Sequence, residues 1–592
     1  MPDTKPLTGY PSIDKPWMKY YSAEDLEIKI PACTIYQNIY ERNKDHPEDV
    51  AILYYGNKIR YKTLFSNVVA CAKALSHVGI QKGDCVTLCT AGAPEAIYLV
   101  LACSQIGAIA NFLNPLFTQE QMADRINETG ANWVFVLDAM FSYIEAALPK
   151  TCIQNVVIIP ATNSISPLLA KALYLKSEVK KLIRRGNGKQ KFLGWKDFYR
   201  LSSYNVAVPD VPYQPGTPTV MVYSSGSTGA SKGILLTNEG ISATIANYTI
   251  HNMHINRGDT FLQMIPVWFS TGIVISVLMP LAKGAVVIPE LKFSKETFLK
   301  DLIRYNPSVT LTATSLWLHV VNSGKKINLS NMKYPTSGGE KILPLDEMRI
   351  NDYLKQNGCK TRLYKGYGMC ELGSEITGDN DSPTYYGKLG GCGYPALGVT
   401  VSVFDISTGK ELPYGKHGEI RAISPAQMKE YYKNPEATAD FFKPDEHGTV
   451  WGCTGDIGYM DKDGEVFVLG RSTDNYRRDN GEIVYLFDIE EEILADDSVA
   501  QCKVVDTEIE NEKCLVAHIV FRPEIKDKNN KLIRIYKRLA HNLPDYIIPE
   551  YYKIRSSMPV HTNGKRDTGT LRKDRDSLIS AKQLVKTDIE SI

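Results

Sequence analysis

Two β-type runs, TVMVYSS ending at Ser225 and GILLT beginning at Gly233, flank a stretch crowded with glycines, hydroxyls and a lysine, YSSGSTGASKG from Tyr223 to Gly233. The first run alternates like a half-buried strand, and the second reads as a short strand before a helix capped near Thr237 or Asn238. The loop therefore joins strand to strand. A Walker-type phosphate loop is excluded, because its GxxxxGK[ST] spacing opens a helix. Gly226, Gly229 and Gly233 let backbone N–H groups approach an anion closely. Ser224, Ser225, Ser227 and Thr228 add hydroxyl donors, and Lys232 adds a positive charge. A polyphosphate is the natural guest; taken by itself, the loop also reads as a flexible Gly/Ser surface turn.

At 592 residues the chain is too long for one compact domain, so a large domain with a smaller one is expected. From Cys33 to about Asp461, periodic helices alternate with short β-rich runs, as in AGAPEAIYLVLACSQIGAIANFLNP, a helix ending near a glycine before an extended Asn-Pro turn. That alternation predicts an α/β fold of layered, partly parallel sheets. A boundary follows the turn-dense GYMDKDGEVFVLGR and precedes the acidic helix FDIEEEILADD. It divides the chain into residues 1–472 and a small α+β unit, 473–592, with a hinge at Thr473 or Asp474.

A net charge of +2 and 23% charged residues give no global pull toward nucleic acid or an acidic partner. The N-terminal MPDTKPLTGYPSIDKPW lacks the apolar stretch of a secretory signal. The longest apolar run, Gly272 to Pro289, is broken by Pro280 and Lys283 and reads as buried strand or helix, not a membrane span. Twelve scattered cysteines without a CxxC pair suit free thiols in a reducing, cytoplasmic setting. One segment departs in composition. Between Ile165 and Lys191, Leu168, Ala172, Leu175, Val179 and Leu182 recur at helical spacing, while Lys176, Lys180, Lys181, Arg184 and Arg185 crowd other faces. Two readings fit residues 165–191: a peripheral membrane contact, or a solvated insertion whose apolar stripe packs on its own domain.

Further segments stand in order along the chain: IRYKTL at Ile59, SGGEKILP at Ser337, GYGMCE at Gly366, YYKNPEAT after Gly418, WGCTGDIGYMDKDGEVFVLGR at Trp451 and PVHTNGKRDTGTLRK at Pro559. With YSSGSTGASKG they resemble the adenylate-forming superfamily of acyl-CoA synthetases, luciferases and peptide-synthetase adenylation domains. The resemblance implies a large N-terminal domain of layered sheets with a distorted barrel, and a small mobile C-terminal domain over the active site. It implies attack of a carboxylate on the α-phosphorus of ATP, giving acyl-AMP and pyrophosphate, then acyl transfer to a thiol. Two anions must meet, with a repulsion on the order of 4 kcal/mol at an effective dielectric of about 20, so the site must supply positive charge.

By the same resemblance, Lys232 and the loop donors would hold the β- and γ-phosphates, and Glu371 would be associated with Mg²⁺. Lys565 matches the lysine that reaches the substrate carboxylate and α-phosphate during adenylation. Asp456 would accept the ribose hydroxyls, assisted by Arg471. The backbone of Gly338, Gly339 and Glu340 would line the adenine, with Tyr367 stacked on it and Gly368 beside it. The chain departs from the pattern at Cys370, where a threonine is usual, at Ser231, where a proline is usual, and in RSTDNYRRDNG, which is one residue longer. The segment IPVWFSTGIVIS occupies the place of the acyl pocket, with Trp268, Phe269 and Gly272 as its candidate residues. No carboxylate stands there to pair a buried ammonium, so an apolar acid is favoured over an amino acid, a fatty acid first and an aryl acid second. Trp268 and Phe269 as ordinary core is the other reading. Coenzyme A is the favoured acceptor, since no fused carrier or reductase domain follows the C-terminal unit. A stand-alone loader of an acyl-carrier protein and a non-catalytic nucleotide- or acyl-binding relative are the alternatives.

Overall fold

A computed structural model describes residues 7–27, 29–166, 182–183, 189–209, 211–224, 231–250, 253–379, 387–477, 483–510, 512–559 and 567–584. Its contacts divide the chain into two compact units, Met1–Thr454 with Tyr459–Val468, and Gly455–Gly458 with Leu469–Ile592. The second unit thus opens at Leu469 and takes in Gly455–Gly458 from the strand Val450–Met460, where the sequence suggests a cut after residue 472.

The first unit is α/β. Its seven-stranded sheet runs, in spatial order, Lys191–Gly194, Asn155–Ile159, Trp133–Leu137, Cys85–Cys89, Ile109–Phe112, Pro218–Tyr223 and Gly233–Thr237. Every pair is parallel except the last. Inner strands such as CVTLC and WVFVL are buried along their whole length, as strands covered on both faces must be. The helix Pro94–Ile106 begins on a proline at its first turn, where a missing N–H costs nothing. Gly107, at φ +74, then turns the chain out of that helix toward the next strand.

A nine-stranded sheet lies in the same unit. Its parallel centre consists of Tyr364–Tyr367, Tyr334–Gly338, Val309–Thr312, Thr260–Gln263, Val286–Pro289 and Val50–Tyr54. Antiparallel strands close both edges. Where a distorted barrel is expected, the described residues form a five-stranded sheet that includes Thr400–Phe404, Gly418–Ile423 and Val450–Met460. The apolar run is buried: a π-helix, Thr271–Leu278, passes into the helical turn Met279–Ala282 and then the strand Val286–Pro289.

The second unit is α+β. A four-stranded sheet pairs Val499–Ile509, Glu512–Phe521, Tyr551–Arg555 and Ile579–Ser580. Helices Leu486–Leu494 and Lys528–Asn542 supply apolar faces to its core, among them Ile489, Ile493, Ile535 and Leu539. Among the described residues no helix is long and apolar enough to cross a membrane. Most of the basic segment 165–191 lies outside the described residues; of its apolar stripe Leu182 is described, and with Ile165 it is buried in the first unit's core.

Candidate active site

The glycine-rich loop is held at its base. Strands Pro218–Tyr223 and Gly233–Thr237 pair antiparallel with Tyr223 opposite Gly233. One step further out, Ser224 N–H donates to the Lys232 carbonyl at 2.9 Å, and Lys232 N–H donates to Ser224 Oγ at 2.9 Å. Ser225, Gly226, Ser227, Thr228 and Gly229 lie outside the described residues. Ser231, in place of the usual proline, is buried, and its carbonyl accepts from Arg125 Nη1 at 3.0 Å. Of the side chains that fix the base of the loop, Ser224 stands in the loop motif itself, whereas Arg125 is one that the sequence alone does not single out.

Glu371 sits on a single 3₁₀ turn, Cys370–Leu372, and is 7% exposed. The turn is tied to the helix that follows the loop, since Thr244 Oγ1 donates to the Gly373 carbonyl at 3.0 Å. It is also tied to residues 428–432 by Met428 N–H donating to the Glu371 carbonyl at 2.7 Å. That strap runs along the edge strand Gly233–Thr237. Tyr432 N–H donates to the Gly233 carbonyl at 2.7 Å, and Lys429 N–H to the Leu235 carbonyl at 2.9 Å. In return, Leu235 N–H donates to the Glu430 carbonyl at 3.2 Å. Tyr431, antiparallel to Ile234, is thereby brought to both charged residues. Its hydroxyl donates to Glu371 Oε1 at 2.9 Å, and Lys232 Nζ stands 4.6 Å from its ring centroid. Burial and the neighbouring Glu371 carboxylate push the Tyr431 phenol far above its ordinary range, so it stays a donor at every physiological pH. Sequence reasoning missed Tyr431. The helix signal beside it, Asn434 as N-cap and Pro435 behind it, was readable, but the strap's partner strand lies some 200 residues away.

A carboxylate oxygen is a ligand suited to a hard cation. Among the described residues no group of three or more His, Cys, Asp and Glu side chains could hold a metal. A metal at Glu371 would therefore complete its shell with nucleotide phosphates and water, which is how magnesium binds at such sites.

Gly338, Gly339 and Glu340 leave the C-terminal end of strand Tyr334–Gly338, beside the end of Tyr364–Tyr367, with Gly338 opposite Gly366. Crevices at the carboxyl ends of parallel strands are where ligands of open α/β sheets bind. Gly339 has φ +77, a conformation that favours glycine, and among the described residues no atom lies within 4 Å of where a Cβ would stand. The Glu340 carboxylate is engaged elsewhere, accepting from Ser315 N–H at 2.9 Å and Ser315 Oγ at 3.1 Å at the start of helix Thr314–Asn322. Its backbone, not its charge, is what remains to face a base. Tyr367 is half-buried, and Gly368 follows it where a Cβ would overlap the Ser374 carbonyl.

Trp268 is buried, with Phe269 at 6.3 Å and Phe293 edge-on at 5.8 Å between ring centroids. Among the described residues its indole N–H has no hydrogen-bond partner, a donor inside an apolar cluster. Gly272 is explained by packing: a Cβ there would overlap the Pro266 carbonyl in the turn that starts the π-helix.

In the second unit, Asp456 is 7% exposed and pairs with Arg471 Nε at 3.0 Å. The neighbouring backbone is pinned by Ser472 N–H donating to the Gly455 carbonyl at 2.8 Å. Thr473 is exposed, whereas Asp474 is ion-paired with the buried Lys503 at 2.7 Å. Lys565 lies outside the described residues.

Lys232, at the base of the strand-to-strand loop, and Glu371 meet at Tyr431, and Gly338 to Glu340 leave the carboxyl end of a parallel strand. An AMP-forming acid–CoA ligase is the class that the family and the CoA-ligase relatives define. The AMP-binding enzyme family matches residues 39–432, and the chain belongs to it. Among curated relatives, a long-chain-fatty-acid–CoA ligase of Bacillus subtilis (strain 168) is 23% identical over 560 residues, covering 93% of this chain and 96% of that protein. A 4-coumarate–CoA ligase of Nicotiana tabacum is 26% identical over 484 residues, covering 79% of this chain and 82% of that protein. The fold resembles a crystal structure of an anthranilate CoA ligase in complex with anthranoyl-AMP, with a TM-score of 0.76 at 18% identity over 92% of this chain and 98% of that one.

Proposed function

We propose that the chain activates an apolar carboxylic acid, a fatty acid first, to its acyl-AMP with ATP and Mg²⁺, and then transfers the acyl group to coenzyme A. The observation that carries this reading is the convergence of Lys232 and Glu371 on Tyr431 at the base of the glycine-rich loop. Lys232 would hold the β- and γ-phosphates as the pyrophosphate leaves, with the N–H and hydroxyl donors of Ser224–Gly229. Glu371 would hold magnesium, which when bound neutralises phosphate charge. Gly338, Gly339, Glu340, Tyr367 and Gly368 would take the adenine, and Asp456 with Arg471 the ribose. Lys565 would reach the substrate carboxylate and the α-phosphate, lowering the repulsion between the two anions.

The ring cluster of Trp268, Phe269 and Phe293 supports an apolar acid, and the same rings, with the 4-coumarate ligase among the relatives, support an aryl acid as second reading. An acyl-carrier protein is the alternative acceptor. Measuring pyrophosphate release over short, medium, long and aromatic acids and free amino acids tests the reading. Fatty acids are expected to give the highest rates, with the adenylate discharged by coenzyme A. Selective release with amino acids, or discharge by a phosphopantetheine protein alone, would contradict it.

A further inference from the structure

We propose that Tyr431 is a positioning residue that sets the loop lysine and the magnesium carboxylate in mutual register before nucleotide binds. The inference rests on the function proposed above and adds to it a residue that touches neither phosphate nor acid. One side chain meets both charged groups by different means. The ring meets the Lys232 ammonium at 4.6 Å, a cation–π contact, and the hydroxyl donates to Glu371 Oε1 at 2.9 Å. A lysine stem otherwise carries much rotamer freedom, and an isolated carboxylate turns about its last bond. Tyr431 removes freedom from each.

The tyrosine is itself held from several sides. Its N–H donates to Thr438 Oγ1 at 3.0 Å, and Thr438 lies in the helix capped by Asn434. Phe441, from the end of that helix, packs edge-on against the ring at 6.1 Å. The strap that carries Tyr431 is bonded to the edge strand on both sides of it, through Glu430 and Tyr432, and to the Glu371 turn through Met428. Tyr431 is 5% exposed, so water does not compete for its hydroxyl. A residue fixed this firmly transmits geometry from the loop's strand to the carboxylate, as outer partners of metal ligands do elsewhere.

The experiment measures binding of ATP to the full-length chain, by calorimetry and by the rise in melting temperature, once with magnesium and once in EDTA. Tyr431→Phe keeps the ring and removes the hydroxyl. It is expected to raise the apparent Kd for magnesium-ATP about tenfold, to leave ATP binding in EDTA unchanged, and to keep one cooperative melt without ligand, lowered by the loss of one buried hydrogen bond. Tyr431→Leu, which removes the ring too, is expected to weaken binding in EDTA as well. Combined with Glu371→Gln, Tyr431→Phe should cause no further loss, because its effect passes through that carboxylate. Unchanged magnesium-ATP binding in Tyr431→Phe, equal losses with and without magnesium, or additive losses in the double variant would overturn the assignment while leaving the proposed function standing. A wild-type chain that bound no ATP at all would overturn both.

Discussion

Gly368 and Gly373 bracket the turn that carries Glu371, and packing decides both. A Cβ on Gly368 would overlap the Ser374 carbonyl, and one on Gly373 would overlap Ala426. Gly373 has φ +86 and Ser374 φ +80, so two successive residues are left-handed, the second at a non-glycine position. Gly368→Ala is therefore expected to lower stability by about 3 kcal/mol through backbone overlap. It should also raise the magnesium requirement, because the Glu371 turn must shift; thermal melts and magnesium titrations of pyrophosphate release check the two effects. At this scale Lys232 and Glu371 stand in short motifs that single them out by residue type, and the structure brings both to Tyr431. Tyr431 was not legible, because its meaning comes from Ile234 and Glu371, distant residues that only the folded strap brings to it.

Among the elements, the strand–loop–strand reading of TVMVYSS and GILLT matches the antiparallel pair Pro218–Tyr223 and Gly233–Thr237, and the helix begins at Asn238. Alternation and a cap residue carry that information within a few positions. The π-helix at Thr271 carries no such mark. At its start Gly272 lies against Pro266, where a Cβ would overlap the carbonyl, a contact no periodicity encodes. In the second unit, strand Glu512–Phe521 holds a consequence that can be measured. His518 is fully buried on it, with Nδ1 accepting from Arg555 Nε at 3.0 Å. Burial first, and then the Arg555 charge, push its pKa down from 6.5 to about 4. Between those values the unfolded chain binds a proton that the folded one refuses, so stability falls as pH drops from 6.5 toward about 4 and owes nothing to His518 above 6.5. His518→Gln, which retains an acceptor for Arg555, should flatten that part of the pH dependence in thermal melts. An unchanged slope would show that other groups cause it.

For the whole molecule, the existence of a small C-terminal α+β unit was legible from the acidic helix and the turn-rich stretch before it, and its first residue was not. The contacts begin it at Leu469 and give it Gly455–Gly458 from the strand Val450–Met460, so Asp456 and Arg471 belong to it. Those four residues precede Leu469 in the chain, and membership decided by contact across a gap in sequence leaves no compositional boundary to read. We propose the hinge at Thr473 or Asp474, of which Asp474 is ion-paired with Lys503. If Lys565, in the C-terminal unit, serves adenylation alone, Lys565→Ala should reduce acid-dependent pyrophosphate release by about a hundredfold or more. It should leave thioester formation from supplied acyl-AMP intact; equal loss in both half-reactions would refute that division of labour.

The proposed function turns on one step, the joining of a carboxylate to the α-phosphorus of ATP. Exchange of labelled pyrophosphate into ATP reads that step without any thiol acceptor. With magnesium and a panel of apolar acids, exchange is expected to depend on the acid and to disappear in Lys232→Ala. No exchange with any acid, or exchange that persists without one, would contradict it.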